Sequence, residues 1–309
     1  MKSPLDVVAV GNMVVDYAVG PLAGLPTWGT LVGVSQRMEP RVGGNGAIFS
    51  VADRRLGLSC GLIGKVGRDS SGDWLLDRLK DEGIDTSAVR RGARGTSSTV
   101  VLVRADGERA FLHYAGSNAS LKPSDLQKIP RCRWFHMSAM FLLPSLKPRA
   151  IGRALETARN AGAITSLDVA WDPTGGWDVG DCLSGVDYFI PNIDEAVAMT
   201  GKKEAVEAAR ELARMGARNV VIKLGPRGSL VLGEGLEPFI APGFKVEAVD
   251  STGAGDTFDA AFVYAILHGM EPGRAALLAN AAGAMRAMGD APTEKELLQF
   301  IRSRKTGSR

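Results

Sequence analysis

Short apolar runs alternate with longer amphipathic segments along most of the chain, and this alternation constrains the fold more than any other feature. The apolar runs have the length of strands buried on both faces, and they cover residues 5–10, 58–63, 134–140, 164–169, 188–190 and 220–224. The amphipathic segments predict helices at residues 47–56, 71–81, 148–160 and 204–215. Strands that alternate with helices pair in parallel through right-handed crossovers. The sequence therefore predicts an α/β fold with a doubly wound, mostly parallel sheet.

Two stretches break this alternation. Residues 99–112 predict two strands joined at Ala105-Asp106-Gly107, because Asp-Gly is a common hairpin turn, and residues 29–38 resemble a further strand. These pieces predict a small β-flap outside the main sheet, within residues 14–40 and 95–115. An edge hairpin without function explains the same pattern equally well. No linker divides the chain, so residues 1–309 are interpreted as a single domain that ends in a basic tail at 302–309.

Composition argues against several classes of protein. Lysine and arginine number 37 and aspartate and glutamate 34, which leaves a net charge of +3 spread along the chain, whereas nucleic-acid binding needs a clustered basic face. No apolar run approaches the roughly 18 residues that span a bilayer. The three cysteines have no CxxC spacing, and the start of the chain does not resemble a secretion signal. We expect a soluble cytoplasmic enzyme or binding protein without a nucleic-acid or membrane partner.

The most informative segment is residues 249–258, Val-Asp-Ser-Thr-Gly-Ala-Gly-Asp-Thr-Phe. It follows a predicted strand at 245–249, and the apolar residues after it recur at helical spacing. Gly253, Ala254 and Gly255 are thus placed at a helix N-terminus, where free backbone N–H groups can bind an anion. Asp256 fits beside an anion if it accepts the proton of a hydroxyl that attacks a phosphoryl group. A glycine-rich helix start with a first-turn acid is the simpler interpretation of this motif alone.

A second group of residues is suited to recognising hydroxyl groups. Gly43-Gly44-Asn45 precedes the predicted helix at 47–56, and its glycines permit the backbone to approach a ligand closely. Asn12 and Asp16 follow the first strand at its carboxyl end, which is the usual ligand edge of an open parallel sheet. Taken singly, Asn45 is explained as a helix N-cap and Asp16 as a solvated loop acid.

These motifs resemble those of the ribokinase-like carbohydrate kinases, also called the PfkB family, over nearly the whole chain. The segment from Gly43 to Gly57 is similar to the family's N-terminal signature. The segment from Asp250 to Asp256 is similar to its C-terminal DTxGAGD signature, with Ser251 in place of a commoner threonine. Between them, Asn192-Ile193-Asp194-Glu195 matches the family's NxxE motif, and residues 221–228 resemble its nucleotide-side strand and turn.

The resemblance implies a sugar kinase that transfers the γ-phosphoryl group of ATP to a hydroxyl of a small carbohydrate. Asp256 is then the general base, and Gly253, Ala254 and Gly255 form the anion hole. The implied sugar-binding residues are Asn12, Asp16, Gly43, Gly44 and Asn45, and the implied nucleotide-binding residues are Asn192, Lys223, Gly225, Gly228 and Asn280. Glu195 is implied to act on Mg²⁺ through water, and Asp250 is a candidate ligand of a monovalent cation such as K⁺. The flap is implied to be a lid that excludes water and joins two copies in a homodimer.

Departures from the family pattern bear on the substrate and the cations. Ribokinases carry an acidic residue in the segment that corresponds to Phe141-Leu142-Leu143-Pro144, and its apolar character here argues against ribose. Lys223 stands where many members have threonine. The segment after Asn280 looks shorter than in ribokinases, which leaves the K⁺ site open.

Two alternative functions remain open on the same fold. A nucleoside kinase needs an aromatic or apolar pocket for the base, for which Trp28, Phe111 or Phe141 are candidates. A non-catalytic sugar-binding protein is the other alternative, although such a protein does not need a base at Asp256. A dinucleotide-dependent oxidoreductase and a P-loop NTPase are disfavoured, because neither GxGxxG nor GxxxxGK[ST] is complete.

Overall fold

Strands and helices alternate through the chain. The computed structural model describes residues 3–25, 27–34, 36–105, 109–235, 237–289 and 291–305. The strands in these ranges are β1 (Leu5–Val10), β2 (Val14–Leu22), β3 (Pro40–Gly43), β4 (Cys60–Ile63), β5 (Lys65–Val66), β6 (Arg90–Arg91), β7 (Ser98–Arg104), β8 (Arg109–Tyr114), β9 (Cys132–Met137), β10 (Ile164–Leu167), β11 (Tyr188–Phe189), β12 (Asn219–Lys223), β13 (Gly228–Leu232) and β14 (Phe239–Pro242). The α-helices are α1 (Asn45–Arg55), α2 (Ser70–Asp81), α3 (Pro148–Asn160), α4 (Ile193–Thr200), α5 (Ala205–Arg214), α6 (Ala254–Leu267), α7 (Pro272–Met288) and α8 (Glu294–Lys305).

The main sheet has eight strands in the order β14-β13-β12-β11-β10-β9-β1-β4. The strands from β12 to β4 pair in parallel, and β13 and β14 at one edge pair antiparallel. One hydrophobic core includes side chains of α1, α2, α6 and α7, and a second core on the other face includes side chains of α3, α4 and α5. The predicted doubly wound, mostly parallel α/β sheet is confirmed.

Burial on both faces explains why the central strands are apolar without alternation. The side chains from Val7 to Val10 of β1 are fully buried. Val7 and Ala9 belong to one core, and Val8 and Val10 belong to the other. Because successive side chains of a strand point to opposite faces, a strand covered by helices on both sides needs apolar residues at every position.

Strands β2, β3, β7 and β8 form a separate four-stranded sheet in the order β3-β2-β7-β8, which we call the flap. Its strands β7 and β8 pair antiparallel and confirm the predicted hairpin, although Asp106 and Gly107 of the expected turn lie outside the described residues. Only Gly11, Asn12 and Met13 separate β1 from β2, so the flap stands at the carboxyl end of β1.

Two predicted strands are wrong. The described residues of the segment 29–38 form no strand, since Trp28 and Leu31 are almost completely exposed and no buried face holds the segment in place. The segment 245–249 forms no strand either, because Val249 donates its N–H to the carbonyl of Ala287 at 2.8 Å rather than to a neighbouring strand. This second segment therefore ties the start of the glycine-rich motif to the end of α7.

At the C-terminus, α8 continues to Lys305, so the predicted basic tail at 302–309 begins as helix, and residues 306–309 lie outside the described ranges. Where the chain is described, none of its helices has both the length and the apolar character that crossing a membrane requires.

Close contact between two glycines joins the end of β1 to the start of α1. A Cβ atom added at Gly11 would lie 2.6 Å from the Cα of Gly46 and 2.9 Å from its nitrogen. Both distances are shorter than real Cβ contacts, and the atoms opposed are backbone atoms that cannot rotate away. This approach brings Asn12, which follows Gly11, beside the helix start that carries Asn45.

We expect Gly11→Ala to lower the free energy of unfolding by about 1–3 kcal/mol, because the added methyl group has to push two backbone segments apart. The measurement is the midpoint of urea unfolding. Gly33→Ala is the matched control, since a Cβ there meets nothing within 4 Å. It should change stability by less than about 0.5 kcal/mol. Equal stability of both variants would contradict the close contact.

Candidate active site

A cleft of about 620 Å³ opens at the carboxyl edge of the main sheet. Its walls include residues from β12, from the segments that follow β10 and β11, and from the first turns of α1 and α6; among them are Asn45, Asp168, Asn192, Glu195, Lys223 and Asp256. Strand ends of an open parallel sheet converge on such an edge, which is why residues far apart in the sequence meet there.

The glycine-rich motif forms the N-terminus of α6, as predicted. Gly253 is the N-cap with φ 76°, a left-handed conformation that favours glycine, and a Cβ there would lie 2.8 Å from Cγ2 of Ile48. The N–H of Ala254 donates to the carbonyl of Ser251 at 3.1 Å. The N–H of Ala254 is thus engaged within the loop, and the first-turn N–H of Gly255 lies beyond this bond, so the anion hole expected from Gly253, Ala254 and Gly255 stays a prediction.

Asp256 is buried in the first turn of α6, with 5% of its surface exposed. One of its carboxylate oxygens, Oδ1, accepts a hydrogen bond from Nδ2 of Asn45 at 3.0 Å. Burial, and to a smaller extent the neighbouring Asp168, raise the pKa of Asp256, whereas Lys223 and Asn45 oppose the rise, and the net pKa is about 7. A carboxyl group with a pKa near neutrality can exchange a proton with a substrate at neutral pH.

Lys223 lies at the end of β12 with its ammonium group between two buried carboxylates. Its Nζ is 3.1 Å from Oδ1 of Asp259 and 3.4 Å from Oδ2 of Asp168. Burial favours the neutral amine, but these carboxylates more than compensate and hold the pKa of Lys223 above its ordinary value. A Cβ added at Gly255 would lie 3.6 Å from this Nζ, so a fixed positive charge stands next to the N-terminus of α6.

Asn192 and Glu195 cap the N-terminus of α4. Asn192 Oδ1 accepts the N–H of Glu195 at 2.9 Å, and Glu195 Oε2 accepts the N–H of Asn192 at 2.8 Å, which is a reciprocal capping box. Burial and the charge of Asp168 together raise the pKa of Glu195, Lys223 opposes them, and the net pKa is about 7. The NxxE motif thus has a local structural role, and it also places a buried carboxyl group in the wall of the cleft.

The predicted sugar-binding residues lie next to one another, and Asn45 among them belongs to the cleft wall. A Cβ added at Gly43 would collide with the carboxylate of Asp16, and one added at Gly44 would lie 2.6 Å from the carbonyl oxygen of Asn12. The side-chain oxygen of Asn12 is buried and has no hydrogen-bond partner among the described residues. Burial raises the pKa of Asp16, the hydroxyl of Thr99 opposes this rise, the charge of Asp250 adds to it, and the net pKa is about 6.

The other predicted nucleotide-side residues differ in placement. Gly225 lies in the cleft wall, at the turn that follows β12. Gly228 faces backbone, since a Cβ there would collide with the carbonyl of Ala241. Asn280 donates from Nδ2 to the carbonyls of Ala241 and Pro242, both at 3.1 Å, so this amide braces the end of β14.

Asp250 binds a guanidinium group from the flap. Nη1 of Arg109 donates to Oδ1 of Asp250 at 2.5 Å and to Oγ1 of Thr252 at 2.6 Å. The candidate cation ligand is therefore paired with a residue of the chain itself.

Sequence reasoning missed Arg109, Asp168 and Asp259 as parts of the site. Asp168 carried a signal, because it ends a predicted buried strand at the edge where ligands bind. Asp259 lies three residues after Asp256 and thus shares its side of α6. Arg109 carried no such signal, because no sequence pattern distinguishes one polar residue on a flap strand from another.

The aromatic candidates for a base pocket do not line this cleft. Trp28 is fully exposed, and Phe111 is exposed on β8. Phe141 packs edge-to-face against Trp177, which also contacts Trp171, and Trp171 reaches the cleft wall. Among the side chains that the structure describes, no group of three or more histidine, cysteine, aspartate or glutamate residues is arranged to hold a metal ion.

Comparison with known proteins agrees with this geometry. The family model of the pfkB family carbohydrate kinases matches residues 6–290. Fructokinase-1 of Zea mays is 30% identical over 335 aligned positions that cover 96% of this chain and 97% of the relative. Aminoimidazole riboside kinase of Salmonella typhimurium is 31% identical and covers 70% of each chain. The crystal structure of ribokinase from Thermotoga maritima superposes with a TM-score of 0.82 at 26% identity, covering 96% of this chain and 99% of the other.

The fold and the cleft define a ribokinase-like phosphotransferase. The chain belongs to the pfkB family of carbohydrate kinases, and it is accordingly a carbohydrate kinase.

Removal of the ammonium group between Asp168 and Asp259 should destabilise the fold. We expect Lys223→Met to lower the free energy of unfolding by about 3–5 kcal/mol at neutral pH, because it leaves a buried carboxylate without its counter-charge. This loss of stability should become smaller toward pH 5, because the buried carboxylate that has lost its lysine then takes up a proton in the folded state. The measurement is urea unfolding at both pH values.

The matched control is Lys80→Met, which removes an exposed lysine paired with Asp77 at 3.3 Å. It should change stability by less than about 1 kcal/mol at either pH. A Lys223→Met variant as stable as this control would contradict the buried charge cluster.

Proposed function

We propose that this enzyme transfers the γ-phosphoryl group of ATP to a hydroxyl group of a small sugar. The observation that carries the proposal is the buried Asp256, with a pKa of about 7, in the first turn of α6 beside the ammonium group of Lys223. A proton acceptor next to a fixed positive charge and a helix N-terminus is the arrangement that phosphoryl transfer to an alcohol needs. Membership of the pfkB family supports the same reaction.

In the proposed reaction, Asp256 accepts the proton of the attacking hydroxyl group. The hydroxyl oxygen forms a bond to the γ-phosphorus, and the bond from that phosphorus to the β–γ bridging oxygen breaks, which releases ADP. The N–H groups at Gly253 and Gly255 and the ammonium group of Lys223 stabilise the negative charge on the transferring group. Asn45 holds Asp256 in place through its hydrogen bond.

Magnesium fits the wall of the cleft formed by Asn192 and Glu195. Glu195 is 4% exposed, and its pKa is raised by burial and by the negative charges of Asp168 and Asp256, while Lys223 opposes the rise. Hard oxygen ligands of this kind suit Mg²⁺, which often keeps several bound waters and is held mainly by substrate phosphates. When bound, the ion neutralises phosphate charge; Glu195 would hold it through water.

The sugar is proposed to lie against Asn12, Asp16, Gly43, Gly44 and Asn45. The unpartnered oxygen of Asn12 and the half-buried carboxylate of Asp16 are acceptors suited to neighbouring hydroxyl groups. The nucleotide is proposed to lie on the Asn192, Lys223 and Gly225 side, with Gly228 and Asn280 shaping that wall from behind.

We propose that residues 1–309 act as a single domain in which the flap is the lid of the cleft. The flap also offers a face for a homodimer, because Phe111, Leu112 and Tyr114 of the edge strand β8 are more than half exposed. An exposed apolar edge strand of this kind is suited to pairing with a second copy. A cytoplasmic location is proposed because Cys60, Cys132 and Cys182 are free thiols.

A panel of sugars and nucleosides, screened with ATP and magnesium by ADP release, identifies the acceptor. A nucleoside as the best substrate would favour the nucleoside kinase of the same fold. Binding of sugars without ADP release would favour the non-catalytic sugar-binding protein.

Loss of the proton acceptor should remove most of the activity. We expect Asp256→Asn to lower kcat by about 10²-fold or more, because the amide keeps the shape of the side chain but cannot take the proton. For the wild type, kcat/KM should rise with pH through about 7, since Asp256 acts only when deprotonated and its raised pKa lies there. The residual activity of the variant should lack this rise, and nucleotide binding should persist. Near-normal activity of Asp256→Asn would remove Asp256 from the mechanism.

The sugar site should be separable from the nucleotide site. We expect Asp16→Ala to weaken sugar binding at least about tenfold, because charge-assisted hydrogen bonds to hydroxyl groups are lost. Calorimetric titrations with nucleotide and with the sugar identified by the screen provide the measurement. Nucleotide affinity and the melting temperature should stay near the wild-type values. Equal loss of both affinities, or no loss of sugar affinity, would contradict the assignment of Asp16 to the sugar site.

A further inference from the structure

The carboxylate expected to bind a monovalent cation is already paired within the chain. Oδ1 of Asp250 accepts bonds from Nη1 of Arg109 at 2.5 Å and from the N–H of Thr252 at 2.7 Å. Arg109 also donates from Nη1 to Oγ1 of Thr252 at 2.6 Å and from Nη2 to the carbonyl of Val249 at 3.3 Å. One guanidinium group thus binds three residues, Val249, Asp250 and Thr252, of the loop that leads into α6.

This contact is partly shielded from solvent. The side chain of Arg109 is 14% exposed and that of Asp250 is 31% exposed. Burial alone would raise the pKa of Asp250, but the bonds from Thr252 and Arg109 hold it below its ordinary value. Asp250 is therefore a carboxylate whose charge is already balanced.

A K⁺ ion at Asp250 does not fit this arrangement. Such an ion would be coordinated by the carboxylate and by carbonyl oxygens of the same loop, and Arg109 donates to both kinds of oxygen. The nearby carbonyl of Ala287 accepts the N–H groups of Val249 and Asp250, at 2.8 and 3.0 Å. Oxygens that already accept hydrogen bonds, above all from a guanidinium group, are poor direct ligands for a cation.

A second guanidinium group increases the positive charge at this loop. A Cβ added at Gly253 would lie 3.4 Å from Nε of Arg286, and Arg286 also donates to the carbonyl of Gly289. The acidic groups near the loop include Asp250 itself, Asp16, whose pKa is raised mainly by burial and also by the charge of Asp250, and Asp256, which interacts with Arg286. Two guanidinium groups against these carboxylates leave little attraction for an added cation.

We infer that Arg109 supplies, from the flap, the positive charge that a monovalent cation would supply at Asp250, so that phosphoryl transfer by this enzyme does not depend on K⁺. The inference rests on the proposed kinase function. Arg109 acts as a positioning residue, because it contacts the loop of the anion hole and not the reacting atoms.

The location of Arg109 gives this contact a second consequence. Arg109 begins β8, which pairs with β7, and β7 pairs with β2, the strand that carries Asp16. The same guanidinium group therefore links the flap and its sugar-binding carboxylate to the loop before α6. Correct placement of the flap and correct placement of Gly253 and Gly255 are coupled through a single side chain.

The first arm of the test uses the wild-type enzyme. Its phosphorylation rate and its melting temperature are measured in KCl and in tetramethylammonium chloride at an ionic strength of about 0.1 M. We expect the two salts to give rates within about twofold and the same melting temperature. Activation by K⁺ of about tenfold or more would overturn the inference.

The second arm removes the guanidinium group. Arg109→Ala should lose about tenfold or more in kcat with a smaller change in sugar KM, and K⁺ or free guanidinium ion should restore part of the rate. The same ions should raise its melting temperature, and Arg109→Lys should retain intermediate activity without them. Unchanged kcat, or a loss that neither ion restores, would overturn the inference.

The matched control is Arg133→Ala. Arg133 also binds one carboxylate, Asp6 at 3.0 Å, and one carbonyl, that of Leu267 at 2.9 Å, but it lies at the amino end of β9, on the opposite edge of the sheet. It should show normal kcat and no response to K⁺ or guanidinium. The melting temperatures show whether K⁺ or guanidinium binds even if no sugar acceptor is found. Failure of the inference and failure of the proposed function therefore remain distinguishable.

Discussion

The ammonium group of Lys223, buried between Asp168 and Asp259, is the interaction on which the rest of the site depends. It joins the carboxyl ends of β10 and β12 to the first turns of α6, and these elements come from distant parts of the chain. A buried carboxylate is tolerated only when a partner balances its charge. One lysine balances the charge of only one of these two carboxylates. The pKa of Asp168 is therefore lowered, while burial keeps the pKa of Asp259 raised.

This charge balance explains the state of Asp256. Burial would keep its carboxyl group protonated, and the negative charge of Asp168 acts in the same direction. The charge of Lys223 and the hydrogen bond from Asn45 oppose both effects and leave the pKa at about 7. In the proposed reaction, the same lysine tunes the pKa of the proton acceptor and presents positive charge to the phosphoryl group, so its replacement should change stability and chemistry together.

Sequence reasoning found the fold and the motif residues because both depend on local patterns. Apolar runs gave the buried strands, and the small residues from Gly253 to Gly255 gave the start of α6. Sequence reasoning was wrong at segments 29–38 and 245–249, which have the composition of strands but whose described residues do not pair with a neighbouring strand. It also missed Asp168, Asp259 and Arg109, because their importance lies in contacts with residues that are remote in sequence. Only the folded chain brings such partners together.

The flap shows how a contact of this kind can change the cation requirement of a site without changing its motif. Asp250 belongs to the glycine-rich motif, and the motif alone is compatible with either an ion or a side chain at its carboxylate. The choice is made by Arg109, about 140 residues earlier in the chain, on a strand of a different sheet. A tethered guanidinium group avoids the loss of translational freedom that a free ion incurs on binding. It also makes the geometry of the anion hole depend on where the flap lies, which a free ion would not do.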